Sequence, residues 1–311
     1  MLPLEAVPNF SEGRDSVVIG LLGQELAERA RLLDIHTDSD HNRSVFTLVG
    51  DDVEIVDALL AAVAVARGRI DLRRHEGVHP RIGAADVVPL VPVRPDDMER
   101  ARSAALMLAE RIGGELELPV FLYGELGGGH GPAFFRRGGP AELQRRMDSG
   151  ELAPDFGPPQ LDERAGGVLI GARGPLIAFN VNLAGDNLDA AQEVARAVRE
   201  RDGGFPGVRA LGLRLPRAGH VQVSLNVENW QAAPLHEVVA AVEREAAARG
   251  LGVTGSELVG LLPAGAAVAA AGSVLGVAGL DPSHVLELRL RLTSRRGVRR
   301  SRSSDHGDTD T

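Results

Sequence analysis

The stretch HEGVH at residues 75–79 fits the pattern His-Glu-x-x-His. On a helix, two histidines four apart share one face and bind zinc, while the glutamate activates water. The neighbouring residues oppose such a helix. Gly77 in a helix interior costs about 1 kcal/mol relative to alanine. Pro80 pushes His79 out of the α region, and the chain runs on into the β-branched stretch DVVPLVPV. His75 and His79 are therefore expected on a loop between a helix and a strand. A zinc hydrolase using both histidines and a distant acid such as Glu99 is the weaker alternative.

The same loop offers another chemistry. Between residues 67 and 81 stand Arg67, Arg69, Arg73, Arg74 and Arg81 against only Asp71 and Glu76, in a chain of net charge -9. A basic island of this kind suits a small carboxylate-bearing ligand, for which arginine supplies paired donors. A histidine beside it, with a reference pKa of about 6.5, moves protons near neutrality. Three further stretches gather polar residues. VPNFSEGRD carries Asn9, Ser11, Glu12 and Arg14; HTDSDHNRSVF carries His36, Asp38, Asp40, His41, Asn42 and Arg43. IGARGPLIAFNVN places Arg173 among glycines, with Asn180 and Asn182 on one strand face. Each has a plainer reading: a helix cap at Asn9 and Ser11, a solvated hairpin loop at 38–42, turns at Gly166, Gly167, Gly171 and Gly174. No Gly-Lys-Ser/Thr follows the glycines, so they are not a phosphate loop. The residues by themselves indicate an enzyme that handles anionic small molecules by acid–base chemistry, and they leave the reaction open.

Position depends on the surrounding elements. Helical spacing marks 14–30, 52–70, 95–116, 187–201 and 234–250, and extended runs separate them. Residues 124–167 are rich in Gly and Pro and read as a long connection with short helical pieces. VLIGARGPLIAFNVNL reads as a strand pair. Each half runs strand, helix, strand, strand, helix, strand, the split βαβ order. The fold class expected is α/β (α+β-like): two subdomains, each a mixed β-sheet with helices on one face, and a ligand cleft between them. The expected division is 1–178, 179–293 and a disordered tail at 294–311. Cysteine is absent, which excludes disulfides and thiolate metal sites and suits a cytoplasmic location. The opening residues lack a secretory signal's basic and apolar regions. Residues 265–280 are too short for a membrane span and are expected as a buried helix and turn. Net acidity argues against nucleic acid as a partner.

Taken together, VPNFSEGRD, LLDIHTDSDHNRSVFTLVG, HEGVHPRIGAADVVPLVPV, LPVFLYGE, PDFGP, IGARGPLIAFNVNL, GGFPGVRALGL and TGSELVGLLP resemble the glutamate formiminotransferase family, in order, over roughly residues 4–292. Only the formiminotransferase part is matched, without the cyclodeaminase domain fused to it in some relatives. The resemblance implies transfer of a formimino group from N-formimidoyl-L-glutamate to N5 of tetrahydrofolate, a co-substrate, with no metal, in a homodimer. It places the catalytic histidine at His79 and substrate contacts at Asn9, Asp40, His41, Asn42, Arg43 and Arg81. The folate segment corresponds to Gly166, Gly167, Gly171, Ala172, Arg173 and Gly174, with Asn180 beyond it. A formyl donor on the same scaffold and a non-catalytic folate-binding protein stand as the alternatives.

Overall fold

The computed structural model describes residues 2–289, so the tail expected at 294–311 lies outside the described residues. Strands β1 (Leu4–Ala6) and β2 (Asn9–Phe10) are one interrupted strand. The break falls at Pro8, which has no N–H to give a neighbour. Helix α1 (Ser16–Arg29) starts where the Asp15 carboxylate accepts from Val17 N and Val18 N. Strands β3 (Arg31–Asp38) and β4 (Arg43–Gly50) follow as a hairpin. Asp51 and Glu54 then form a capping box on α2 (Asp52–Arg69), satisfying donors that the first turn leaves free. Next come β5 (Ala85–Pro92), α3 (Met98–Glu115), β6 (Val120–Leu122), the short helices α4 (Pro132–Arg136) and α5 (Gly139–Asp148), and β7 (Val168–Ala172). Seven strands make one mixed sheet: β3, β4, β1 with β2, β5, β7, β6, with β7 parallel to both its neighbours.

Alternation sorts the two faces of this sheet. Leu4, Ala6, Phe10, Phe46, Leu48, Val88 and Leu90 bury against Leu22, Leu26, Leu59, Ala62, Ala105 and Leu108 of α1–α3. On the other face a smaller core of Val87, Leu169, Phe121, Tyr123 and Ile82 is closed by Phe135, Leu143 and Met147 from α4 and α5. The expectation of helices on one face alone is thus corrected for this sheet, because the 124–167 connection folds back over its β7–β6 end.

The second sheet contains β8 (Ile177–Leu183), β9 (Val208–Leu215), β10 (His220–Val227) and β11 (Val253–Val259), in the order β11, β8, β10, β9. Helices α6 (Leu188–Val198) and α7 (Leu235–Ala247) cover one face. Strands joined through a helix run parallel here but are not neighbours, since β10 returns between β8 and β9. Every pairing is therefore antiparallel, where a mixed sheet was expected. The strand pair expected at 168–183 is also corrected: β7 and β8 belong to different sheets, with the exposed Gly174 and Pro175 between them. Helix α8 (Ala264–Leu275) is real but not a buried helix; only Ala266 and Gly272 are buried, and Val274 and Leu275 are exposed. Among the described residues, no helix is long and apolar enough to cross a membrane.

Two glycines let three backbone segments meet. A Cβ on Gly83 would lie 1.8 Å from the Gly167 carbonyl oxygen, and one on Gly77 would lie 2.3 Å from the His41 oxygen. By contrast, a Cβ on Gly68 in α2 meets nothing within 4 Å. Gly83→Ala is expected to destabilise the protein by at least about 2 kcal/mol, whereas Gly68→Ala is expected to be neutral or to stabilise by up to ~1 kcal/mol. Denaturant midpoints of the two variants check this contrast.

Candidate functional site

Residues that alternate with the core positions turn the other way. In the first sheet these include Glu5, Asn9 and Arg43; in the second, Asn180, Asn182, Gln222 and Ser224. These polar faces meet across a cleft. His41 Nε2 lies 3.1 Å from Gln222 Oε1, and Gln222 Nε2 donates to Asn182 Oδ1 at 2.9 Å. His36 Nε2 lies 3.4 Å from Glu257 Oε1, while Asn180 Nδ2 donates to Glu257 Oε2 at 3.1 Å. Asp40 ties the two sheets together: its carboxylate accepts Arg217 N at 2.7 Å and Ala218 N at 3.2 Å, in the β9–β10 turn.

Asp86 lies fully buried at one end of the cleft. One oxygen accepts Ile82 N at 2.8 Å; the other accepts Arg43 Nη1 at 2.8 Å and Arg136 Nη2 at 2.6 Å. Burial pushes this carboxyl up, but Arg136, Arg43 and the Ile82 amide outweigh it and leave the group below its ordinary value. Arg43 also donates through Nε to Asn9 Oδ1 at 2.9 Å. Burial is the main reason its own pKa falls to about 10.

His79 stands against this cluster. Its Nδ1 is 2.8 Å from the Pro80 oxygen and 3.3 Å from Arg43 Nη1. Only a protonated Nδ1 can bond a carbonyl, so Nε2 is the lone-pair nitrogen, and no group among the described residues bonds it. Arg43 then acts on the ring as a charge. Burial first, and then Arg43, Arg136 and the stacked His41, hold His79 well below the ordinary histidine range. The His41 ring lies 5.8 Å away, inclined by 28°. His79 is therefore held toward its neutral form, with Nε2 facing no hydrogen-bond partner among the described residues.

Several expected binding residues are engaged by the scaffold. Arg81 was expected to clamp a carboxylate, but its guanidinium donates to the oxygens of Asn42 at 3.0 Å, His41 at 2.7 Å and His79 at 2.8 Å. It braces the loops that carry both histidines. Asn42, in the left-handed region at φ 45°, spends both ends of its amide on Gly13 N and the Glu76 oxygen. The oxygens of Asp40 are likewise occupied, as is the amide of Asn9, which bonds Arg43 and the Val7 oxygen. Gly171 and Ala172 are buried in β7, and Gly166 and Gly167 are buried just before it. A Cβ on Gly166 would strike the Ile82 oxygen at 2.0 Å, and one on Gly171 would strike the Tyr123 ring at 2.8 Å. Their close approach in this structure is to protein backbone and ring. Arg173 and Gly174 lie beyond β7 at its accessible end, and Asn180 faces the cleft.

HEGVH forms a loop after a 3-10 turn at Leu72–Arg74. His75 Nε2 is met by Arg81 Nη1 at 2.7 Å and lies 3.0 Å from the Asn42 oxygen, and burial with Arg81 lowers its pKa. The shared helical face that a zinc site needs is absent there. Sequence reasoning missed Arg136, Gln222 and Glu257. The alternation that revealed Asn180 and Asn182 also runs through HVQVSLNV and would have revealed Gln222. Nothing local distinguishes Arg136 within FFRR.

Fold and site define the class: a two-subdomain α/β protein with a histidine set beside buried arginines in a cleft. Residues 3–173 match the formiminotransferase domain, N-terminal subdomain, and 178–276 match the formiminotransferase domain, so the chain belongs to the formiminotransferase family. It is 38% identical over 283 residues to a glutamate formimidoyltransferase of Streptococcus pyogenes serotype M1, covering 89% of this chain and 95% of that protein. A glutamate formimidoyltransferase of Thermoplasma acidophilum is 37% identical over 311 residues, 92% of this chain and 97% of that protein. A formimidoyltransferase-cyclodeaminase of Gallus gallus is 39% identical across 84% of this chain and 50% of its own length.

The electrostatics of His79 are testable directly. Its imidazole is expected to titrate below the reference value of about 6.5. Arg43→Met removes a neighbouring positive charge, which favours the imidazolium, so the midpoint should rise. NMR titration of the His79 ring in both proteins checks the direction of each shift.

Proposed function

We propose that the chain is a glutamate formimidoyltransferase, moving the formimino group of N-formimidoyl-L-glutamate to N5 of tetrahydrofolate and releasing L-glutamate. The observation that carries this reading is the neutral His79, its Nε2 open and its Nδ1 committed to Pro80. Family membership supplies the substrates.

In this reading N5 of the folate attacks the amidine carbon, and a tetrahedral centre forms. His79 Nε2 takes the proton from N5 and returns one to the departing glutamate nitrogen as the C–N bond breaks. The lowered pKa keeps the base form available at neutral pH. Arg43 and Arg136 make the cleft attractive to substrate carboxylates while Asp86 holds them in place. Asn180, Gln222 and Glu257 form the opposite wall. No metal and no covalent intermediate with the protein enters the scheme. The two functional halves divide between β7 and β8, just before the expected 178/179 boundary, with substrates between them. The working form is a cytoplasmic homodimer; the absence of cysteine and the exposed apolar end of α8 favour this.

Purified protein mixed with tetrahydrofolate and either N-formimidoyl-L-glutamate or N-formylglutamate should yield a formimino adduct from the first donor alone, identified by mass. A formyl adduct alone would change the donor and keep the site. His79→Ala should lower turnover by about 100- to 10,000-fold while folate binding persists; unchanged turnover would remove His79 from the mechanism.

A further inference from the structure

On β1, Glu5 pairs between Val49 and Val91, with Leu4 and Ala6 in the helix-side core. Its side chain therefore points to the cleft face. The residue is half-buried and makes no hydrogen bond or ion pair with the described residues. Burial raises its pKa, and Arg173 partly offsets that. Leaving a carboxyl half-buried and unpartnered is costly in the free protein. The position therefore suits a group kept for a ligand.

Arg173 is the nearby counterpart. Its backbone N donates to the Leu90 oxygen at 3.1 Å, and Nη1 donates to the Gly174 oxygen at 2.9 Å. Buried Tyr123 lies close enough to Arg173 to feel its charge, and the Tyr123 ring lies over Gly171, at the same stretch of the cleft wall. Arg173 acts on the charge of Glu5 without forming an ion pair with it, which leaves a gap between an acceptor and a donor.

We propose that Glu5 and Arg173 recognise the 2-amino-4-oxopyrimidine edge of the acceptor's pterin, an inference that rests on the folate reading above. The Glu5 carboxylate accepts the ring N–H and the exocyclic amine, and Arg173 donates to the adjacent oxo group. Spacing supports this placement. Glu5 lies four residues from Asn9, about 13 Å along the strand, and Asn9 bonds the arginine that touches His79. A ligand gripped at Glu5 must therefore extend along the cleft to bring a reacting atom to His79, as a fused bicyclic ring does when N5 points that way. The donor's amidine could also satisfy a carboxylate, but at Glu5 its reacting carbon would sit far from the base.

Glu5→Gln preserves shape and removes the acceptor pair. The KM for tetrahydrofolate should rise about 10- to 100-fold, with kcat at saturating folate and the KM for the donor little changed. Binding of p-aminobenzoylglutamate, which lacks the pterin, should be the same in both proteins. An unchanged KM for tetrahydrofolate, or an equal loss with the fragment, overturns the assignment while leaving the transferase reading intact. A wild-type protein that does not use tetrahydrofolate removes both. If Glu5→Gln does not fold, the same comparison is made with Arg173→Met.

Discussion

The structure of the site depends on one buried carboxylate. Asp86 closes the turn at Ile82 with one oxygen and holds two guanidinium groups with the other. A buried charge must be paired to be tolerated, and two cations around one anion leave a net positive field. That field falls on His79. Removing Asp86 would leave Arg43 and Arg136 facing each other in a desolvated place, so the carboxylate is needed for the cations to be there at all.

The strands that carry these groups explain why they converge. Arg43 begins β4, Asn9 begins β2, and Asp86 lies near the start of β5, all at one end of the sheet. Arg136 arrives from the far side through α4, on a connection that also covers Phe121 and Leu169. The second sheet then adds Gln222, Asn180 and Glu257 without any helix intervening, because α6 and α7 occupy its other face. Asp40 and His41 reach across from the β3–β4 loop and bind this sheet directly. The cleft is thus held at one end by the base's own neighbours.

Close backbone packing sets the loop that presents His79. Gly77 meets the His41 carbonyl and Gly83 meets the Gly167 carbonyl, while Arg81 gathers three further carbonyl oxygens. A loop secured this way loses little entropy when it positions a reacting group. It also accounts for residues that look like binding residues in sequence. Polar and glycine-rich segments serve loops that pack on loops, and that use leaves the same residue-type signature as ligand contact.

The sequence by itself determined the helices, the strands, the repeated order of both halves and the loop character of HEGVH. Those follow from local rules: caps at Asp51, periodicity in α1 and α3, and the conformational limits of Gly77 and Pro80. It also grouped His79 and Arg43 among its polar stretches. Tertiary structure alone decided which polar side chains remain free. Arg81 and Asn42 are spent on backbone, Arg136 enters from 50 residues away, and Glu5 is left without a partner at the cleft wall. Hydrogen-bond saturation depends on neighbours distant in the chain, and no spacing within a motif encodes it.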